Sequence, residues 1–447
     1  MIIKNREDLI SSGLRARAVD LIEAGIERVL PTNLMLSSLK YDGRRKKLIV
    51  EGHSYDVSKG RIFVIGGGKA SGLMAEEFER IVGADNIAAG AVNCKSLGYT
   101  TSKIVLTQAG HPVPDDAGVI GVRNMLAMKA RYAMGKSDLM VCLISGGGSA
   151  LMPCPVPDVT LEDKQLITQL LLTCGADINE INTVRKHLSL TKGGNLGQFY
   201  APARVVSILI SDVVGDDLSS IASGPTVPDP STFKDAFAIL EKYGLLDTAP
   251  PNATLYIRRG VMGMQAETPK ELHNCDNYII GHNRLALEAM AEKARDMGMK
   301  PLILTAEQKG DTALVAKARA DELIRGKYKG FNVILLGGET TPSLPANAGR
   351  GGRNQHFAAV SILAMQDYTH PWAVASVGTD GSDFLADVAG AMVDDHSYNV
   401  AHAAGLNVED YVRRFDTYTL FQKMGRSLII TGPTGTNVSD VILYLLA

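Results

Sequence analysis

The feature that most constrains this chain is a strand–glycine–helix unit that occurs twice with the glycines in the same place. In RIFVIGGGKASGLMAEEFERIV a short apolar run ends at Gly66, Gly67, Gly68 and Lys69, and helical spacing follows to about residue 82. In LMVCLISGGGSALMPCP an apolar run ends at Ser145, Gly146, Gly147, Gly148 and Ser149. Three glycines after a β-branched run make a tight turn whose backbone can approach an anion, and a following helix start adds unpaired N–H groups. A chain built this way places strands and helices in alternation.

The rest of the sequence agrees. Runs at 103–108, 139–145 and 205–211 are short and apolar on both faces, as buried parallel strands are, with helical spacing over 115–135 and 160–175 between them. A second set has strands at 277–281, 301–305, 332–338, 372–381 and 427–432, and helices at 283–297, 311–326 and 353–366. The alternation predicts an α/β layered fold. Residues 5–30 read as one amphipathic helix ended by Pro31, and the proline-bearing stretch 226–275 suits a boundary, so lobes are expected at 1–245 and 246–447.

Charge and cysteine content narrow the function. Lys plus Arg is 46 against 48 Asp plus Glu, a net charge of −2, so no general attraction to nucleic acid or anionic lipid is expected. No 18-residue apolar run and no signal-peptide pattern appear, so no membrane partner is expected. The five cysteines are scattered without a CxxC pair, which argues against a zinc knuckle or disulfide framework and for a reducing cytoplasm.

The chemistry is expected in the glycine clusters. Gly66–Gly68 with Lys69 is an anion turn; Ala70 follows the lysine, so it is not a Walker A loop, and Ser71 stands where a dinucleotide fingerprint has its third glycine. Ser145–Ser149 is a second anion nest, and Leu151 stands where a GxSxG elbow has its last glycine. INTVRKHLSLTKGG concentrates Arg185, Lys186, His187 and Lys192, of which Asn182, Arg185, Ser189 and Lys192 form a polar stripe suited to a small carboxylate or phosphate. Asp212 ends the 205–211 strand, where it can orient a substrate hydroxyl or bind Mg²⁺. In the second half, Gly351, Gly352 and Arg353 stand among the acidic residues Glu339, Asp380 and Asp383, which are candidate metal ligands for a Mg²⁺–polyphosphate site. Structural turns and salt bridges are the competing explanation for each cluster.

The blocks VIGGGKASGLMA (64–75), LISGGGSALMPCP (143–155), GADINEINTVRKHLSLTKGG (175–194), SDVVGDDLSSIASGPTVPDPSTF (211–233), GGRNQ (351–355), SVGTDGSD (376–383) and TGPTGTNVSD (431–440) together resemble the type II glycerate 2-kinase family, in order and over nearly the whole chain. The last two resemble its C-terminal MOFRL module, expected at about 330–445. The resemblance implies two three-layer α/β/α lobes facing a cleft, the first Rossmann-like and the second with a mixed sheet. It implies transfer of the γ-phosphoryl of ATP to D-glycerate with Mg²⁺ or another divalent cation, in the Entner–Doudoroff branch of carbohydrate metabolism. The family's essential lysine and arginine fall on Lys69 and Arg353. With Asp212 these are the expected catalytic residues. Gly66–Gly68, Ser145, Gly146–Gly148, Ser149, Gly351 and Gly352 are expected around the nucleotide. Lys69, Ser149, Arg185, Asp212 and Arg353 are expected around the substrate. His356 stands where the family often has Glu.

Three alternatives stay open at this point: another small sugar acid as substrate, 3-phosphoglycerate as product, or a non-catalytic binding protein. Hydride transfer to hydroxypyruvate is disfavoured, because residues 86–90 read NIAAG where a ribose-binding acid is needed. Beyond ATP and D-glycerate, the one partner expected is a second copy in a possible homodimer.

Overall fold

The apolar runs become the strands of two six-stranded sheets, alongside a small antiparallel sheet made by Leu39–Asp42, Lys47–Val50 and His53–Asp56. The computed structural model describes residues 1–385 and 387–447. They divide into two compact units, residues 34–280 and residues 1–33 with 281–447.

The sheet of residues 34–280 lies in the order Ile104–Gln108, Ile87–Cys94, Ile62–Gly68, Leu139–Ile144, Arg204–Ile210, Cys275–Gly281. Counted along the chain that is 3-2-1-4-5-6, the order of dinucleotide-binding doubly wound sheets. The first five strands pair in parallel. Every residue of Ile62–Gly68 and Leu139–Ile144 is buried, which is why these runs show no polar alternation. The strand Ile87–Cys94 was not legible, because its IAAGAVNC sequence is mostly Ala and Gly, with branched residues only at Ile87 and Val92. Its Gly90 is required by packing: a Cβ there would lie 2.8 Å from Ile104 Cγ1 on the neighbouring strand.

The other sheet is mixed, in the order Pro301–Gln308, Val333–Gly338, Asp440–Leu446, Trp372–Gly378, Gly390–Asp394, Leu428–Ile429. Only its first pair is parallel. The final apolar run expected at 427–432 supplies just a two-residue edge strand, and the fully buried DVILYLL segment after it takes the centre.

The N-terminal helix differs from expectation. It breaks into Arg6–Leu9 and Gly13–Arg28, the second capped by Ser12. Pro31 starts a further helix, Pro31–Ser38, because a first-turn residue has no need of its N–H. The Gly13–Arg28 helix packs on Asn283–Asp296, closely enough that a Cβ on Gly25 would lie 2.7 Å from Met290 Cγ. The first 33 residues therefore belong with residues 281–447, and the division falls at 280/281 instead of 245/246, at the end of the strand Cys275–Gly281 that completes the first sheet. Among the described residues, no helix is long and apolar enough to cross a membrane.

Candidate active site

The two glycine turns leave the carboxyl ends of adjacent parallel strands, Ile62–Gly68 and Leu139–Ile144, with Gly67 opposite Ile144. The strand that follows the first lies on one side of this pair and the strand that follows the second on the other, so the turns flank the switch point at which open α/β sheets take ligands. Lys69 N donates to Gly146 O at 2.8 Å, tying the turns together. Ala70 N donates to Ser145 Oγ at 2.9 Å, and Ser71 Oγ lies 3.2 Å from the same atom. The Ser145 hydroxyl, fully buried, thus braces the turn from inside, in place of the ligand-facing role expected of it.

The glycines are demanded by their neighbours. A Cβ on Gly68 would overlap Ser145 Oγ, and one on Gly146 would overlap the Asp212 carboxylate. Gly147 has φ +79°, and its Cβ position lies 2.8 Å from the His111 ring and 3.2 Å from Lys69 Cγ. Lys69, Asp212 and His111 therefore converge on the 146–147 backbone. His111 was not anticipated: GHPVP has no motif to flag it, and only the tertiary fold carries it there.

Ser149 is the hub of a second group. Its Oγ receives hydrogen bonds from Arg185 Nη2 at 2.7 Å and Lys192 Nζ at 2.9 Å, and lies 2.8 Å from Ser223 Oγ. Ser223 in turn donates to Asn182 Oδ1 at 3.2 Å. Arg185 is delivered by the helix Ile178–His187, started by a capping box of Asp177 and Glu180, and Lys192 by the turn after it. Burial lowers the pKa of Arg185 and takes that of Lys192 well below the usual lysine value, with Arg185 repelling the latter as well. Lys164, on the helix Leu161–Thr173, lines the same cavity of about 570 Å³ as Ser149, Arg185 and Lys192. A lone lysine on an amphipathic helix reads as a solvated one, so no signal in the sequence marks it.

Residues 281–447 hold a separate constellation. Arg353 opens the helix Arg353–Ala364 and grips Asp440 with Nε and Nη2, at 2.5 and 2.9 Å, while Nη1 reaches Glu339 at 2.7 Å. Burial works to lower its pKa, but the two carboxylates outweigh it and raise the value, and its side chain keeps 31% of its surface exposed. Asp440, 2% exposed, is a partner the sequence does not advertise.

The three expected metal ligands have partners within the chain. Asp383 accepts from Asn354 N at 2.9 Å, Gln355 N at 2.8 Å and Gln355 Nε2 at 3.0 Å, so both oxygens hold the start of that helix. Glu339 is engaged by Arg353, and Asp380 accepts from Ser382 N and Oγ, each at 2.9 Å. Among the described residues, no group of three or more His, Cys, Asp or Glu is placed to hold a metal ion. Gly351 and Gly352 admit the close approach of Thr417 and Asp383, whose atoms a Cβ at either position would overlap. Both glycines, with Arg353 and Glu339, line a cavity of about 450 Å³.

Known proteins resemble the chain throughout. Residues 17–258 match the family described as a domain of unknown function, DUF4147, and residues 332–440 match the MOFRL family. A glycerate 2-kinase of Pyrococcus horikoshii is 37% identical over 443 residues, covering 98% of each chain. A putative hydroxypyruvate reductase of Agrobacterium vitis is 39% identical over 407 residues, covering 90% of each. The crystal structure of a glycerate kinase from Thermotoga maritima superposes with a TM-score of 0.84 at 33% identity, covering 96% of this chain and 99% of that one. Paired family matches, full-length identity and a shared fold agree with the two glycine turns at the switch point, and the chain belongs to the glycerate 2-kinase family.

Proposed function

We propose that this chain transfers the γ-phosphoryl group of ATP to the C2 hydroxyl of D-glycerate. The observation that carries this reading is the convergence of Lys69 and Asp212 on the paired glycine turns at the switch point of the parallel sheet. Full-length relatives named as glycerate kinases support the substrate and the donor.

In this reading Lys69 holds oxygens of the substrate or of the transferring phosphoryl group, and the backbone of the glycine turns lets the ligand approach without side-chain obstruction. Asp212, fixed against Gly146, orients the attacking hydroxyl; a loose transition state needs little prior removal of its proton. Arg185 and Ser149 serve anionic oxygens. Arg353, held in one orientation by Asp440 and Glu339, is proposed as a cation toward the transferring group. The divalent cation that accompanies ATP screens phosphate charge; with Glu339, Asp380 and Asp383 engaged elsewhere, it is read as arriving on the triphosphate. The five free cysteines, three of them buried, support a reducing, cytoplasmic compartment.

The reductase name of the Agrobacterium vitis relative favours a second reading. Against it, the strand Ile87–Cys94, where a dinucleotide-binding sheet places its ribose-binding acid, has no acidic residue. Incubation with ATP, Mg²⁺ and D-glycerate, followed by enolase with and without phosphoglycerate mutase, tests the kinase reading. Immediate enolase turnover is expected. A requirement for the mutase would move the phosphate to C3, and NADH or NADPH oxidation with hydroxypyruvate, without ATP consumption, would replace the kinase by the reductase.

A further inference from the structure

Three basic side chains near Ser149 are more than a monoanionic substrate calls for. Lys164 is 7% exposed, and its Nζ has no hydrogen-bond partner. Arg185 and Lys192 donate to the Ser149 hydroxyl, and Lys192 also to the Ser149 carbonyl at 2.8 Å. Among the described residues none of the three makes an ion pair, although buried charges are ordinarily paired. All three line one cavity, whose wall beyond them mixes apolar residues such as Pro112, Pro153, Leu161 and Leu172 with Gln165, Thr168 and Gln169.

We propose that Lys164, Arg185 and Lys192, with the Ser149 hydroxyl, form a binding site for the phosphate oxygens of a multiply charged organic ligand. A single carboxylate brings one negative charge, too little to hold all three basic groups in their charged forms. A phosphate group carries close to two charges near neutral pH, and a polyphosphate more. The cavity is within the size range of sites that take nucleotide-sized molecules, with the mixed wall of prolines, leucines and glutamines facing the rest of the ligand. Nucleotide and phosphorylated hydroxy acid share this phosphate chemistry; naming those two sources rests on the kinase reading, whereas the site does not.

Ligand binding has a proton signature. In the free protein burial, then the charge of Arg185, lowers the Lys164 pKa to about 7, against a small opposing effect of Cys154. Lys192 lies low for the same reasons, with Lys164 itself among its repelling neighbours. A bound phosphate restores the preference for the ammonium form, so the amine takes a proton from solvent as the ligand enters.

Calorimetric titration of the full chain at pH 7.5, in buffers of differing ionisation enthalpy, tests the site with ADP, 2-phosphoglycerate, inorganic phosphate and D-glycerate as probes. At least one phosphate-bearing probe is expected to bind with net proton uptake. ADP as that probe assigns the site to the nucleotide, and 2-phosphoglycerate assigns it to the product. Lys164→Met should weaken that probe at least tenfold and abolish the uptake, whereas Lys164→Arg should retain most of the affinity. Melting of Lys164→Met should be no lower than wild type, because an unpartnered buried amine is replaced by an apolar chain of similar length. Unchanged affinity of all phosphate-bearing probes for Lys164→Met, with no proton uptake by wild type, overturns the site. Weakening of D-glycerate alone overturns the phosphate assignment. Should the wild-type protein bind these probes as expected yet phosphorylate no hydroxy acid, the kinase reading fails and the site stands.

Discussion

Lys69 is the residue at which chemistry and folding should separate most cleanly. Its backbone N–H ties the two glycine turns, and that bond survives any side-chain change. Lys69→Ala is therefore expected to melt close to wild type while kcat/KM with ATP and D-glycerate falls by about 10²–10³, the scale of one lost transition-state donor. Wild-type kinetics in that variant would reduce the lysine to a turn residue. His356 makes a pH prediction of the opposite kind. It stacks on Phe415 with ring centroids 4.5 Å apart, its Nδ1 is buried without a partner, and burial lowers its pKa to about 4. The unfolded chain takes up that proton near 6.5, so the stability His356 confers is complete above that pH and is lost as pH falls toward 4, by about 3 kcal/mol at most. Asp383 pulls the other way: burial raises its carboxyl to about 6, so its ionisation costs stability as pH rises through that value. Urea midpoints between pH 7 and 4.5 should show His356→Gln gaining relative to wild type as the acid limb is approached. A constant difference between the two proteins would remove His356 as the titrating group.

Among the elements, the start of the Arg353–Ala364 helix concentrates the most interactions. Asp383→Asn turns one acceptor oxygen into a donor facing the N–H groups of Asn354 and Gln355, which should cost on the order of 1–3 kcal/mol. Because Arg353 is the first residue of that helix, kcat should drop alongside the melting temperature; a stability loss with kcat intact would detach Arg353 from the chemistry. Arg353→Lys keeps the charge but loses the planar fork on Asp440, and a fall in kcat of at least roughly tenfold is expected, about 1.4 kcal/mol of transition-state stabilisation. Kinetics together with a melting curve read both terms. These contacts also mark where the sequence stops being legible. The glycine turns could be read because strand, glycines and helix start are contiguous. The fork of Arg353 on Asp440 joins residues 87 positions apart, and Asp383 looks like a metal ligand until its acceptors are seen to be filled by a helix start. Lys164 was hidden by the amphipathic pattern around it, since a helix alone does not say which of its polar residues will be buried.

For the molecule as a whole, the apolar alternation and the glycine spacing were enough to give an α/β fold, whereas the division of the chain depended on helix–helix packing that no linear pattern records. Arg15 is central to that packing. It is 3% exposed, donates from Nε to Leu9 O at 2.7 Å and pairs with Asp394 at 3.1 Å, in the strand Gly390–Asp394. Arg15→Met should lower stability by about 3 kcal/mol or more, since it strands a buried carboxylate, and two-step melting with only one step displaced is the expected trace. Equal displacement of both steps would mean that the two units unfold as one. The same arrangement sets a schedule for synthesis. The segment 1–33 leaves the ribosome before residues 34–280, yet the sheet of its unit gains its central strand only when Asp440–Leu446 appears. At ordinary translation rates residues 34–280 alone take roughly 10–50 s to emerge, and during that interval the apolar face of Gly13–Arg28 has no native partner. That face is thus open to chaperones while residues 34–280 are free to fold, and the wait ends only once residues 281–447 follow.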